Sequence, residues 1–148
     1  MRDSPSPERC ESATLLARAS AWLVVVGLLT GAPVAWAMVG KIHADAHAML
    51  ASHLNALLGA FLMLGVAWTL PMLRYGSTGK RRLAWALIVA TWGNWIITAA
   101  KAFLFVSGVD KTGEPKNDAI FGALMVIVIL PSLGAAIAWA VGFGGKKP

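Results

Sequence analysis

Four uncharged, apolar runs alternate with short charged segments along the chain. The runs extend from Ala19 to Gly40, Ala46 to Leu73, Leu83 to Ala100 and Ala119 to Gly145. Each is near or above the roughly 18 to 20 residues that a helix needs to cross a bilayer. The pattern predicts an all-α fold, an integral membrane bundle of four transmembrane helices with spans at about 19–40, 46–73, 83–105 and 119–145.

The first residues differ from these runs. Residues 1–12 carry two prolines and several charges without an apolar period, so they are predicted to form a flexible arm. Residues 13–148 then make a single transmembrane domain. The first span also resembles a signal peptide, since it has Arg18 before an apolar core and a possible cleavage site at Ala35-Trp36-Ala37. The long arm with its acidic residues favours retention of this span.

Composition and charge agree with a membrane protein. Hydrophobic residues make up 57% of the chain and charged residues 14%, which excludes a soluble domain of ordinary composition. The net charge is +6, and the basic residues that produce it lie at helix ends. Lipid headgroups account for basic residues there, so no nucleic-acid partner is expected. The side with both termini holds nine basic residues against four, which predicts cytoplasmic termini in a bacterial-type inner membrane.

The second span opens with polar residues at a costly depth. His53 and Asn55 are polar side chains at membrane depth, and such side chains usually face the bundle interior and mark a functional site. A histidine there can ligate haem iron, carry a proton or be a hydrogen-bonded core residue, and composition alone slightly favours the last. Ala56, Leu57 and Ala60 lie above His53 on one helix stripe, where small side chains leave room for a cofactor edge or a neighbouring helix.

A histidine pair precedes that span. His43 and His47, with Asp45 between them, share a helix face and form either a metal site or a polar helix cap. His53 does not share that face, so the cap is favoured. Because all three histidines lie on one segment, one chain cannot easily supply two facing haem ligands, and a single histidine would leave one iron position open.

The third span holds a second polar cluster. Asn94 and Thr98 are neighbours at i, i+4, and Lys101 continues their face outward. Trp92 and Trp95 lie too deep for an ordinary interfacial belt. At about 1.5 Å per residue the cluster and His53 reach similar heights, so they are predicted to meet in the outer half of the membrane. The alternative is that Asn94 and Thr98 only hydrogen-bond a neighbouring helix.

These residues carry a family resemblance. The spacing from His53 to Pro71, followed by Trp92-Gly93-Asn94, resembles the small four-helix membrane isomerases, namely styrene oxide isomerase and the related hydroxylaminobenzene mutases. The similarity covers most of the chain from Gly27 to Lys101. The segments that look more like the mutases are Val26 to Pro33 and Asn94-Trp95-Ile96-Ile97-Thr98.

The resemblance implies a trimer with b-type haem at the subunit interface, ferric iron ligated by His53 and substrate at the opposite iron position. The epoxide isomerase pattern also has an asparagine six residues after the histidine and a tyrosine four residues after Asn94. Here these positions are Gly59 and Thr98. Asn55, Asn94 and Thr98 are the polar groups that remain to orient a substrate.

The sequence therefore predicts a haem-dependent isomerase of small apolar aromatic substrates. The favoured reaction converts an arylhydroxylamine into an aminophenol, and the alternative converts an aryl epoxide into an aldehyde. A noncatalytic subunit, carrying haem or serving a transporter, is the competing class. The predicted substrate pocket consists of Phe61, Trp92, Trp95 and Lys101.

Overall fold

A computed structural model describes residues 7–144. Five α-helices, one 3-10 turn and one π-helical turn follow each other, without a strand in that range. They are α1 (Pro7–Met38), α2 (Ala46–Thr69), the 3-10 turn (Leu70–Met72), α3 (Ser77–Leu104), α4 (Pro115–Ala123), the π turn (Leu124–Ile129) and α5 (Leu130–Gly142).

Four continuous helical stretches are long and apolar enough to cross a membrane, which confirms the predicted four-span, all-α fold. They are Glu11–Met38, Ala46–Met72, Ser77–Leu104 and Pro115–Gly142. Three of them begin earlier than the sequence predicted, because charged side chains at a membrane surface do not interrupt backbone hydrogen bonding. The helix α1 includes residues 7–12 of the predicted arm, and residues 1–6 lie outside the described residues.

The first two spans run antiparallel with close backbone contact. Ser20 Oγ donates to Ala60 O at 2.7 Å, 40 residues along the chain. Leu16 and Leu23 are fully buried in the same core. The first span is therefore an integral part of the bundle's packing, while its retention in the mature protein stays a prediction.

The third span contacts all the others. Its Thr91 Oγ1 lies 3.2 Å from Met63 Sδ of α2, and Trp95 Nε1 donates to Thr30 Oγ1 of α1 at 3.1 Å. Gly93 lies so close to Ile127 of the π turn that an added Cβ would be 2.6 Å from Ile127 Cγ2. The position of α3 places polar side chains from three spans near one another.

Span four is irregular just before its proline. Pro131 is the second residue of α5 and lies two positions after the end of the π turn. Proline lacks a backbone N–H and therefore leaves a carbonyl of the preceding turn without its helical donor. At the other end of α5, Trp139 Nε1 donates to Thr69 Oγ1 at 2.9 Å, which joins the fourth span to the second.

Candidate functional site

The ring of His53 is held by a backbone carbonyl of the first span. Its Nδ1 lies 2.7 Å from Gly27 O. A carbonyl oxygen can only accept a hydrogen bond, so Nδ1 carries the proton and donates. The electron pair of neutral imidazole is then on Nε2. Since His53 is only partly buried, this nitrogen is available to a ligand that approaches the α1 side of α2.

Two glycines of α1 make this contact possible. A Cβ on Gly27 would lie 3.0 Å from both Ala56 Cβ and Leu57 Cδ2, so these neighbours would have to shift by a few tenths of an ångström to admit it. A Cβ on Gly31 would lie 3.6 Å from His53 Cε1, in ordinary contact. Gly27 therefore allows the backbones of α1 and α2 to approach, and this approach brings its carbonyl to the histidine.

The small residues predicted to border a cofactor lie mainly inside the helix interface. Ala56 and Ala60 are fully buried, the first against Gly27 and the second at the Ser20 hydrogen bond. Leu57 is partly exposed. These contacts are those of helix packing, which the sequence had left open as the alternative to a cofactor edge. Because the two alanines are fully buried, they have no exposed surface for a ligand in this arrangement.

Three polar side chains form a closed cluster between α2 and α3. Asn55 Nδ2 donates to Asn94 Oδ1 and to Thr98 Oγ1, both at 3.3 Å. Thr98 Oγ1 donates to Asn94 Oδ1 at 3.2 Å. The donor and acceptor roles in these three hydrogen bonds are mutually consistent, since the amide of Asn55 uses its two hydrogens and the hydroxyl of Thr98 both accepts and donates.

The cluster leaves one donor and one acceptor unused. No hydrogen bond within residues 7–144 involves Asn94 Nδ2 or Asn55 Oδ1, and no buried side-chain nitrogen or oxygen there lacks a partner. Both asparagines are partly exposed, whereas Thr98 is 5% exposed. Unpaired amide groups are costly in hydrocarbon, so they indicate a position where a polar ligand group is met.

The histidine and the asparagine cluster lie on different sides of α2. At about 100° per residue, His53 and Asn55 are roughly 160° apart around the helix axis. Their contacts agree, since His53 bonds to α1 and Asn55 to α3. The prediction that these groups meet in the outer half of the membrane is therefore wrong within one chain. Similar heights along the membrane normal do not bring two residues together when they lie on opposite faces of a helix.

The aromatic candidates differ in their contacts and exposure. Trp95 donates to Thr30 and forms an edge-to-face pair with Trp92, with ring centroids 6.0 Å apart. Phe61 is 61% exposed on the outer side of α2. Lys101 Nζ donates to Ser107 O at 2.9 Å and so holds the outer loop.

Two participants were not predicted from the sequence. They are the carbonyl of Gly27, which has no side-chain signal, and the hydroxyl of Thr30. A threonine within an apolar run is a signal that could have identified the second.

The outer histidine pair has structural partners. Asp45 Oδ1 accepts from Ala48 N at 2.9 Å and caps α2, and the ring of His43 lies 4.5 Å from that of Phe105. Across residues 7–144 no three His, Cys, Asp or Glu side chains are grouped as metal ligands. A group that needs one protein ligand, such as haem, is compatible with His53 alone.

Together, the fold and the site define a small four-span membrane protein with a ligand-competent histidine and an amide cluster at membrane depth. The family model described as styrene oxide isomerase matches residues 12–144. The chain therefore belongs to the styrene oxide isomerase family, as the sequence predicted, and this membership indicates a membrane isomerase. No curated protein and no solved structure matches the chain.

Proposed function

We propose that the chain is a haem-dependent intramembrane isomerase, with His53 as the axial ligand of ferric haem b. The observation that carries the proposal is the hydrogen bond from Nδ1 to Gly27 O. Metal-ligating histidines usually donate their other ring N–H in this way, which fixes the tautomer and makes the ligating nitrogen more basic. When bound, the haem supplies a Lewis acid that draws electron density from a substrate oxygen without net electron transfer.

The amide cluster orients the substrate. Asn94 Nδ2 donates a hydrogen bond to the oxygen as its bond to nitrogen weakens, and Asn55 Oδ1 accepts one from the substrate's N–H. Thr98 holds both asparagines in place through its bonds to each of them. Fixed donors of this kind stabilise developing negative charge, and a single donor typically contributes about 100-fold or more to the rate.

The same groups favour an arylhydroxylamine over an epoxide. The reaction breaks the N–O bond and forms a C–O bond on the ring, so an arylhydroxylamine becomes its aminophenol isomer. An arylhydroxylamine offers N–H and O–H donors to Asn55 Oδ1. An aryl epoxide offers only an accepting oxygen, which would leave Asn55 Oδ1 unpaired at a cost of about 1–3 kcal/mol.

Packing around Gly59 supports the same preference. A Cβ there would lie 3.1 Å from Thr91 Cβ and 3.2 Å from Thr91 Cγ2. The asparagine of the epoxide isomerase pattern would therefore require α2 and α3 to separate. The chain relies instead on Asn55, four residues earlier along the same helix.

We place the complete site between copies of the chain. His53 and Asn55 lie on opposite sides of α2, so one chain cannot present both to one small substrate. In a cyclic homo-oligomer, a trimer by family resemblance, the histidine side of one copy faces the asparagine side of the next. The oligomer is embedded in a bacterial-type inner membrane with cytoplasmic termini, and apolar aromatic substrates enter from the lipid.

An absorption spectrum of the detergent-purified full chain tests this function. A Soret band that shifts on reduction is expected, followed by conversion of phenylhydroxylamine to aminophenol and slower or no conversion of styrene oxide. Protein expressed with ample haem that shows neither the band nor turnover would contradict the proposal and favour a noncatalytic membrane subunit. Faster turnover of the epoxide would overturn the substrate preference alone.

A further inference from the structure

A cavity lies away from the histidine, between the N-terminal parts of α1 and α3. It has a volume of about 910 Å³ and contains three arginines, Arg18 from α1 and Arg81 and Arg82 from α3. Among the described residues of its lining, Glu11 is the one acidic side chain. A space of about 180 Å³ adjoins it and reaches Ser77 and Thr78 at the start of α3. This arginine cavity has no part in the isomerase site.

The charges of the arginine cavity suit a phosphate group. The described lining residues supply three guanidinium groups and one carboxylate. Guanidinium forks bind phosphate oxygens through two parallel hydrogen bonds. The N-terminus of α3 adds backbone donors, since its N-cap residue Gly76 provides no side-chain cap. Both helices contribute arginine, so an anion between them would be held from two sides.

Apolar side chains also line the arginine cavity. Trp85 follows Arg81 by four residues and so lies about 6 Å further along α3. It is 51% exposed, and Leu15 of α1 also lines the cavity. Tryptophan at the boundary between headgroups and acyl chains is a common feature of membrane proteins. On α3 the lining therefore changes from Arg81 to Trp85 over one helical turn, whereas on α1 Leu15 precedes Arg18. Cationic and apolar side chains thus lie side by side in the arginine cavity, as the headgroup and the upper acyl chain do in a lipid.

We propose that the arginine cavity binds the phosphate headgroup of an anionic phospholipid, with the start of its acyl chains against Trp85 and Leu15. The proposal does not depend on the isomerase activity. A basic patch at this end of the bundle would by itself serve only topology. A cavity shared by two helices, with arginine and apolar side chains in its lining, adds a defined position for one lipid molecule.

Equilibrium binding of lipids with a fluorescent acyl chain to the delipidated full-length protein, in neutral detergent, tests the proposal. Phosphatidylglycerol is expected to bind at least about tenfold more tightly than phosphatidylcholine with the same chains, because each nearby basic residue contributes about fivefold to the binding of an acidic headgroup. Millimolar inorganic phosphate is not expected to displace it. Equal binding of both lipids, or displacement by inorganic phosphate alone at equal concentration, would overturn the proposal.

Variants locate the lipid. Arg18→Gln, Arg81→Gln and Arg82→Gln should each weaken phosphatidylglycerol binding about fivefold, and the triple variant about a hundredfold. The matched control is Arg74→Gln, since Arg74 is exposed at the same end of the bundle but does not line the cavity. It should bind as the wild type does.

Replacement of the three arginines by lysine keeps the charge and tests folding separately. This variant should retain most of the binding. Loss in Arg74→Gln as large as in Arg81→Gln would show a diffuse surface charge and contradict a defined site.

Discussion

The two sides of α2 present different chemistry to their surroundings. On the α1 side, His53 uses its only N–H on the carbonyl of Gly27 and keeps one electron pair. On the α3 side, Asn55 and Asn94 bond to each other and to Thr98, and keep one acceptor and one donor. One side can ligate a metal, and the other can orient a polar substrate. A single helix separates them, and our proposal of a site shared by two copies rests on this separation.

The largest expected effect is on the histidine side. His53→Ala should abolish haem retention, because it removes the nitrogen that we propose as the axial ligand. His47→Ala is the matched control, since His47 is exposed at the start of the same helix and should leave the spectrum unchanged. The Soret absorbance per protein measures both. An intact band in His53→Ala would refute the ligand assignment.

On the asparagine side, Asn94→Ala should keep haem but lower kcat about 100-fold, since one donor to the developing charge is lost. Haem content and steady-state turnover of phenylhydroxylamine are measured on the same preparation. Loss of haem together with activity would mean that the asparagine side also contributes to cofactor binding. The separation of roles between the two sides of α2 would then be wrong.

Mixed oligomers test whether the two sides meet across an interface. Chains with His53→Ala and chains with Asn94→Ala are each expected to be nearly inactive. Co-expressed in equal amounts, they should recover about a quarter of wild-type turnover, because random neighbours pair an intact His53 with an intact Asn94 at that frequency. Activity no higher than that of the separate variants would place both residues in one site within a single chain.

The smallest effect concerns the support of the histidine. Gly27→Ala should weaken haem retention about tenfold, since the new methyl group pushes α1 from α2 and lengthens the bond to His53. Gly65→Ala is the control, because a Cβ at Gly65 has nothing within 4 Å. Haem dissociation to an acceptor protein measures both. Equal rates in the two variants would show that the Gly27 carbonyl does not support the ligand.

Much of the fold could be predicted from the sequence because a bilayer imposes simple rules. A run of about 20 apolar residues forms a helix, since no other local structure satisfies its backbone in lipid. The same rule identified His53 and Asn94 as unusual, because polar side chains at that depth are costly. Asn94 and Thr98 are four residues apart, which predicted that their side chains are in contact, and a hydrogen bond between them confirms it.

The contacts between helices required the tertiary structure. Ala56 and Ala60 are compatible with a cofactor edge or with helix packing, and only the position of α1 against them distinguishes the two. The carbonyl of Gly27 gives no sequence signal, because every residue has one and only close packing brings this one to His53. The sequence by itself determined the spans and the depth of each polar residue, since both follow from hydrophobicity along one axis. The tertiary structure decided which side of α2 each residue faces, because rotation and crossing of helices depend on packing between distant segments.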